Sequence, residues 1–270
     1  MSRKTLAVIG VGNMAKAIIS GITNASAESV SKILLFDKEP TQYSSVLSDN
    51  VCAAESAEDA ICGADAVLLS VKPQNYPEVL NTILTVPNYE NKLYISIGAG
   101  ISTDNIKNIL GDVAVVRALP NLPMVIGKGV TAICRNDSIS RDDFDFVKNI
   151  FLSAGGVLDI DEAEMNRIIG VTSSSPAYVF KFISAICQGA KEQGIDSPEI
   201  LDTVCDMVIG SAYMLKSSDL SPEELISRVA SKGGTTERAL LTLDSKNFDK
   251  TISEAMCACT ARADELGKQG

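Results

Sequence analysis

Histidine and tryptophan are absent from this chain, and aromatic residues make up only 5% of it. Without histidine, the commonest general acid–base and the commonest metal ligand are missing. Ser-His-Asp and Cys-His catalysis are thereby excluded. With no C-x-x-C pair either, no metal site is expected. No uninterrupted apolar run approaches a membrane span, and no basic run occurs. The 24 Lys and Arg are outnumbered by 34 Asp and Glu, for a net charge of −10. That is the wrong sign for a nucleic-acid backbone, so neither nucleic acid nor membrane is an expected partner. The seven cysteines are odd in number, and several fall inside apolar helical stretches. A reduced compartment suits them. The amino terminus runs almost at once into a strand and leaves no room for a signal peptide, so the expected location is cytoplasmic. Whatever chemistry occurs has to come mainly from a cofactor.

What is present begins at Leu6 to Ile9, a short apolar run that reads as a buried parallel strand. It ends in Gly10-Val11-Gly12-Asn13-Met14-Ala15, and a helix-compatible segment follows to about Ile22. This is the G-x-G-x-x-G/A arrangement that takes a dinucleotide pyrophosphate. Gly10 permits the tight turn, Gly12 lets a phosphate approach the backbone, and Ala15 allows helix to pack closely on strand. The N–H groups of the helix start then face the anion. A second strand, Ile33-Leu34-Leu35-Phe36, closes on Asp37, about 20 residues further on, where a carboxylate can accept from the adenosine ribose. Asp37 should favour NADH by repelling a 2′-phosphate, and neighbouring Lys38 offsets part of that repulsion.

Strand and helix signals then alternate. Strands are expected at Val51 to Ala54, Ala66 to Ser70, Leu93 to Ile97, Val113 to Arg117, Val130 to Cys134 and Gly156 to Ile160. Helical patterns lie between most of them. Such alternation implies a mostly parallel sheet covered on both faces, an α/β fold. Ligands of such sheets bind at the carboxyl ends of the strands. Three ends there carry small residues or proline: Ser70-Val71-Lys72-Pro73, Ser96 to Ala99-Gly100, and Arg117 to Pro120-Asn121. From about Asp161 strand signals stop. Apolar residues recur at three- and four-residue spacing around Val179 to Ala190, Leu201 to Leu215 and Phe248 to Leu266. The first two of these helices are apolar on the opposite side as well (Phe182, Ile186, Met207, Tyr213), which implies a subunit partner. The expected domains are therefore 1–160, dinucleotide-binding, and 161–270, helical. Ser231 to Thr236, with two glycines and flanking hydroxyls before a helix, reads equally as an anion-binding nest or as a plain capping loop.

At that loop the chain resembles the pyrroline-5-carboxylate reductase family. The resemblance rests on Pro222, Leu225, Val229-Ala230-Ser231, Gly233-Gly234-Thr235-Thr236, Ala239-Leu240, Leu243 and Asp244. Gly10 to Met14, Val71-Lys72-Pro73-Gln74, Arg117 to Asn121 and Pro176 to Phe180 fall in the family's order, so the likeness spans nearly the whole chain. It implies a Rossmann-like domain followed by an all-helical dimerisation domain, a homodimer or dimers stacked into decamers, and reduction of 1-pyrroline-5-carboxylate to proline with NADH or NADPH. It places Ser231, Gly233, Gly234, Thr235 and Thr236 around the substrate, with Thr236 the catalytic hydroxyl at the ring nitrogen. Pro120 and Asn121 are implied beside the substrate, and Glu162 stands where the family often has an acid. The coenzyme is implied to rest on Gly10, Gly12, Asn13, Met14, Asp37, Lys38, Ser70, Val71, Lys72, Pro73, Ala99 and Gly100. Two positions depart from the family pattern. Thr172-Ser173-Ser174-Ser175 replaces Ser-Gly-Ser-Gly, and Lys232 replaces a proline. The other readings are a reductase of a different cyclic imine or hydroxy acid, with Lys181 as the tempting lysine, and a non-catalytic dinucleotide sensor.

Overall fold

The computed structural model describes residues 3–24 and 30–267. Eight strands form one sheet in the order β3-β2-β1-β4-β5-β6-β7-β8. They are β1 Lys4–Ile9, β2 Val30–Phe36, β3 Val51–Ala53, β4 Ala66–Leu69, β5 Leu93–Ser96, β6 Ala114–Leu119, β7 Gly129–Arg135 and β8 Gly155–Asp159. The helices between them are α1 Asn13–Asn24, α2 Ala57–Cys62, α3 Tyr76–Leu84, α4 Thr103–Leu110 and α5 Arg141–Leu152. Neighbouring strands run parallel except β6 and β7, which are antiparallel. The mostly parallel α/β sheet expected from the alternation is therefore the fold.

Burial explains why the strands are uninterrupted apolar runs. Leu6 and Val8 face one core, shared with Ile18, Ile33, Phe146 and Phe151. Ala7 and Ile9 face the other, shared with Val67, Tyr94 and Ile106. With both faces covered, both alternating sets must be apolar. The order reverses direction between β1 and β4, so the carboxyl ends of β1, β2 and β4 open a crevice at the switch point.

The helices that follow are α6 Glu162–Ile168, α7 Ser175–Glu192, α8 Ile200–Lys216, α9 Pro222–Val229, α10 Thr235–Ser245 and α11 Phe248–Gly267. A π turn over Ile169–Ser173 separates α6 from α7. Contacts divide the chain into two compact units, residues 3–174 with 256–267, and residues 175–255. Met165, Ile169 and Ala263 bury against Leu119, Ala132 and Cys134 in β6 and β7, which places α6 and the end of α11 in the first unit. In the second unit α7, α9 and α10 bury no residue and α8 buries only Val204. Phe180, Met207 and Tyr213 are about half exposed. A helical unit with almost no core of its own needs a second chain to cover it. Among the described residues no helix is long and apolar enough to cross a membrane.

Candidate functional site

The turn after β1 does what its glycines require. Gly10 sits at φ +88, and a Cβ there would lie 2.7 Å from the Ser70 carbonyl oxygen. Its N–H donates to the Phe36 carbonyl at 2.9 Å. Gly12 is the opposite case, since a Cβ on it would meet nothing within 4 Å. The space over Gly12 is open to a ligand, and α1 carries no acid in its first turn to neutralise the helix start. Ala15 is fully buried, where helix meets sheet.

Asp37 braces this turn. Its Oδ2 accepts from the Val11 N–H at 2.7 Å and its Oδ1 from the Glu39 N–H at 2.9 Å. A carboxylate keeps further lone pairs for a ribose hydroxyl. Lys38 is already paired, its Nζ 2.7 Å from Glu78 Oε2. These residues line a cleft of about 740 Å³ that runs from Gly10, Gly12 and Asn13 past Asp37 to Ser70, Val71 and Lys72. Glu39, Glu58 and Glu78 also face it, so its charged lining is mostly acidic.

Ser70, Val71 and Lys72 also line a smaller pocket of about 270 Å³ at the ends of β4, β5 and β6. Its other walls are Met14, Ile97, Ala99, Leu119, Pro120, Ile169 and Ser173. Tyr76 holds two of these strand ends in place. Its hydroxyl donates to the Leu69 carbonyl at 3.0 Å and bonds Ser96 Oγ at 2.9 Å. A Cβ on Gly98 would collide with the Tyr76 ring. Burial pushes the phenol up to about 12, against the opposing hydrogen bond from Ser96, so it remains a donor at ordinary pH.

Several candidate residues are braces. Asn121 is buried; its Nδ2 donates to the Thr172 carbonyl at 3.0 Å and its Oδ1 accepts from the Val130 N–H at 2.9 Å. It lines neither cleft, but fixes the π turn to the start of β7. Both oxygens of Glu162 accept from the protein. Oε1 accepts from Arg117 Nη1 at 2.8 Å and Oε2 from the Cys134 thiol at 3.1 Å. Arg117 is 2% exposed and also donates to Asn166 Oδ1 at 2.5 Å. Burial, and then the Glu162 charge, push the Cys134 thiol well above its ordinary value, so it stays a neutral donor. Gly100, at φ +80, lies under α11, where a Cβ would strike the Ala263 carbonyl and the Gly267 nitrogen. Pro73 starts a short 3₁₀ turn and lines neither cleft.

The Ser231–Thr236 loop belongs to the second unit and joins α9 to α10. Gly233 takes φ +75, its N–H donates to Glu237 Oε2 at 2.7 Å, and the Gly234 N–H donates to the Ser231 carbonyl at 2.9 Å. Gly234, as the N-cap of α10, offers no capping side chain. The N–H groups at the open start of α10 are therefore those of Thr235 and Thr236 rather than of the glycines. Tyr76, Ile169 and Ser173 were not among the residues expected at the site. The run of four hydroxyl residues before Pro176 was the one sign of the last of these.

The residues fit a dinucleotide: an open Gly12, an unneutralised helix start, and a long cleft ending in a small apolar pocket at the strand ends. Fold and site together define a nicotinamide-dinucleotide oxidoreductase. The profile described as "Pyrroline-5-carboxylate reductase dimerisation" matches residues 162–266, and "NADP oxidoreductase coenzyme F420-dependent" matches residues 5–100. The pyrroline-5-carboxylate reductase of Escherichia coli K12 is 33% identical over 267 residues, covering 98% of this chain and 99% of the relative. A crystal structure of Plasmodium falciparum pyrroline carboxylate reductase with NADP bound superposes with a TM-score of 0.88 at 26% identity, covering 99% of each chain. The Streptococcus pyogenes enzyme gives 0.88 at 29% identity, covering 97% of this chain and 99% of that one. The chain belongs to the pyrroline-5-carboxylate reductase family.

Proposed function

We propose that this protein reduces 1-pyrroline-5-carboxylate to L-proline with NADH or NADPH, the final step of proline synthesis. The observation that carries the reading is a dinucleotide cleft ending in an apolar pocket, on a chain that matches its curated relatives end to end. The reduced nicotinamide, when bound, supplies a hydride to the imine carbon, which the side chains present could not provide. Asn13, the Gly12 backbone and the start of α1 hold the pyrophosphate. Met14, Val71, Ala99 and Pro120 flank the ring, and Lys72 contacts the coenzyme rather than delivering a proton.

In the helical part, residues 161–270, the Thr235 and Thr236 N–H groups take the substrate carboxylate. The Thr236 hydroxyl bonds the ring nitrogen, which accepts its proton without any histidine. Ser231, Gly233 and Gly234 shape that loop, and Glu162 supports the neighbouring strand ends through Arg117. The exposed faces of α7 and α8 are covered in a homodimer, and dimers stacked into a decamer are the larger assembly of this reading. The expected location is the cytoplasm. Acidic cleft residues Asp37, Glu39, Glu58 and Glu78, with Lys38 already neutralised, favour NADH over NADPH. The test is loss of NADH absorbance, with both coenzymes in parallel, on adding 1-pyrroline-5-carboxylate, and recovery of proline. No oxidation with either coenzyme overturns the reading.

A further inference from the structure

We propose that Ser173 is a coenzyme-binding residue whose hydroxyl accepts a hydrogen bond from the carboxamide of the nicotinamide. It lies in the π turn between α6 and α7, where the backbone bond pattern shifts by one residue and the Ser174 N–H donates to the Ile169 carbonyl at 2.8 Å. The shift has a consequence for the two hydroxyls beside it. Thr172 Oγ1 finds the carbonyl four residues back, Ile168, at 3.2 Å. The carbonyl four residues before Ser173, Ile169, accepts from the Ser174 N–H but not from the Ser173 hydroxyl. Ser173 Oγ is buried with no hydrogen-bond partner. A buried hydroxyl left unpaired is costly and calls for a partner from outside the chain. π turns of this kind recur at functional sites.

The pocket that Ser173 lines points to that partner. A serine hydroxyl swings about a single torsion with three staggered positions, so it can turn into the space it borders. Its position is fixed from below, because Asn121 holds the Thr172 carbonyl at 3.0 Å. The pocket walls are largely apolar (Met14, Val71, Ile97, Leu119, Ile169), which suits a flat ring. The pocket shares Ser70, Val71 and Lys72 with the coenzyme cleft, so the ring that reaches it arrives attached to the dinucleotide. A nicotinamide carries one polar substituent, an amide that both donates and accepts. Lys72 can only donate, whereas the Ser173 hydroxyl can also accept from the amide NH₂.

The inference rests on the coenzyme reading and is tested by binding rather than turnover. NADH, its 3-acetylpyridine analogue, in which a methyl replaces the amide NH₂, and ADP-ribose are titrated against the full-length protein and its Ser173→Ala and Ser173→Gly variants. A neutral hydrogen bond predicts that both variants lose roughly three- to tenfold in NADH affinity. Affinity for the acetylpyridine analogue and for ADP-ribose should stay at wild-type values. The wild-type preference for NADH over the analogue should vanish in both variants. Unchanged NADH affinity, an equal loss for NADH and the analogue, or an accompanying loss for ADP-ribose overturns the assignment. Failure of the wild-type protein to bind NADH or ADP-ribose would instead sink the coenzyme reading itself.

Discussion

Two glycines two residues apart in the strand–helix turn, Gly10 and Gly12, should fail in opposite ways. At Gly10 the backbone is at φ +88 and a Cβ would sit 2.7 Å from the Ser70 carbonyl oxygen. The left-handed conformation alone costs a non-glycine residue about 1–2 kcal/mol. The collision is with backbone at the end of β4, so relief means moving a strand. Gly10→Ala should therefore destabilise the protein by about 3 kcal/mol or more, in the severe part of the usual range for one substitution. At Gly12 there is nothing within 4 Å to strike and the φ lies outside the left-handed region. Gly12→Val should change stability by less than about 0.5 kcal/mol, as surface substitutions do. Its side chain would fill the space over the α1 N-terminus where pyrophosphate belongs, lowering NADH affinity at least a hundredfold, or about 2.7 kcal/mol. Urea unfolding and NADH fluorescence titration on both variants separate the effects. Normal NADH binding by Gly12→Val, or normal stability of Gly10→Ala, would refute the assignment.

Three further outcomes are expected. Thr236→Ala should lower kcat/KM for 1-pyrroline-5-carboxylate by roughly one to two decades, the worth of a hydrogen bond to developing charge, with Thr236→Ser recovering most of it. Near-normal turnover by the alanine variant would leave the Thr236 hydroxyl without a role. Glu162→Gln should lower stability by about 1.5–3 kcal/mol by removing the charge opposite buried Arg117, while KM for the imine stays within twofold. A raised KM at unchanged stability would instead make Glu162 a substrate ligand. Glu78→Gln should release Lys38 and tighten NADPH a few-fold, the modest worth of an exposed pair, and Asp37→Ser should shift preference the same way at a cost in NADH affinity. Strict NADPH dependence of the wild-type protein would mean that Asp37 faces away from the ribose.

Much of the first unit was legible because its signals are local. Leu6 to Ile9 and Ala66 to Leu69 are buried on both faces, so the residues alone mark them as central strands. The Gly10 turn is equally local, since a positive φ and a close carbonyl admit no other residue. The direction of β7 was not legible. Its apolar run Ala132-Ile133-Cys134 reads the same whether it lies parallel or antiparallel to β6. Asn121, Glu162 and Gly100 stood beside strand ends or a helix start, as ligand residues do, and sequence shows the type of side chain but not its partner. Each proved to bond or pack against residues far along the chain: Thr172, Arg117 and Ala263. The π turn was hidden for a different reason. An extra residue in one turn displaces the helical period by 100° for a few positions, which a three- and four-residue pattern absorbs without trace.

The two halves of the reaction rest on unequal foundations. The coenzyme cleft is cut into a sheet with a sealed core on each face; Tyr76 ties the ends of β4 and β5 together through buried hydrogen bonds, while Asn121 and Arg117 anchor the π turn and α6. Such a site is preorganised within one chain, which matters where no histidine can adjust to a loosely held substrate. The Ser231–Thr236 loop has little such support among the described residues of its own unit. It is capped by Glu237 through the Gly233 N–H, but α9 and α10 on either side bury no residue. Where that loop holds the substrate as proposed, burial of α7 to α10 against a second chain supplies its order, and assembly and substrate recognition are then one equilibrium. Coenzyme binding does not depend on that equilibrium, because every residue lining its cleft lies in the first unit. On the proposed substrate role of this loop, dissociation of the oligomer is expected to abolish recognition of the imine while leaving a chain still able to hold its dinucleotide.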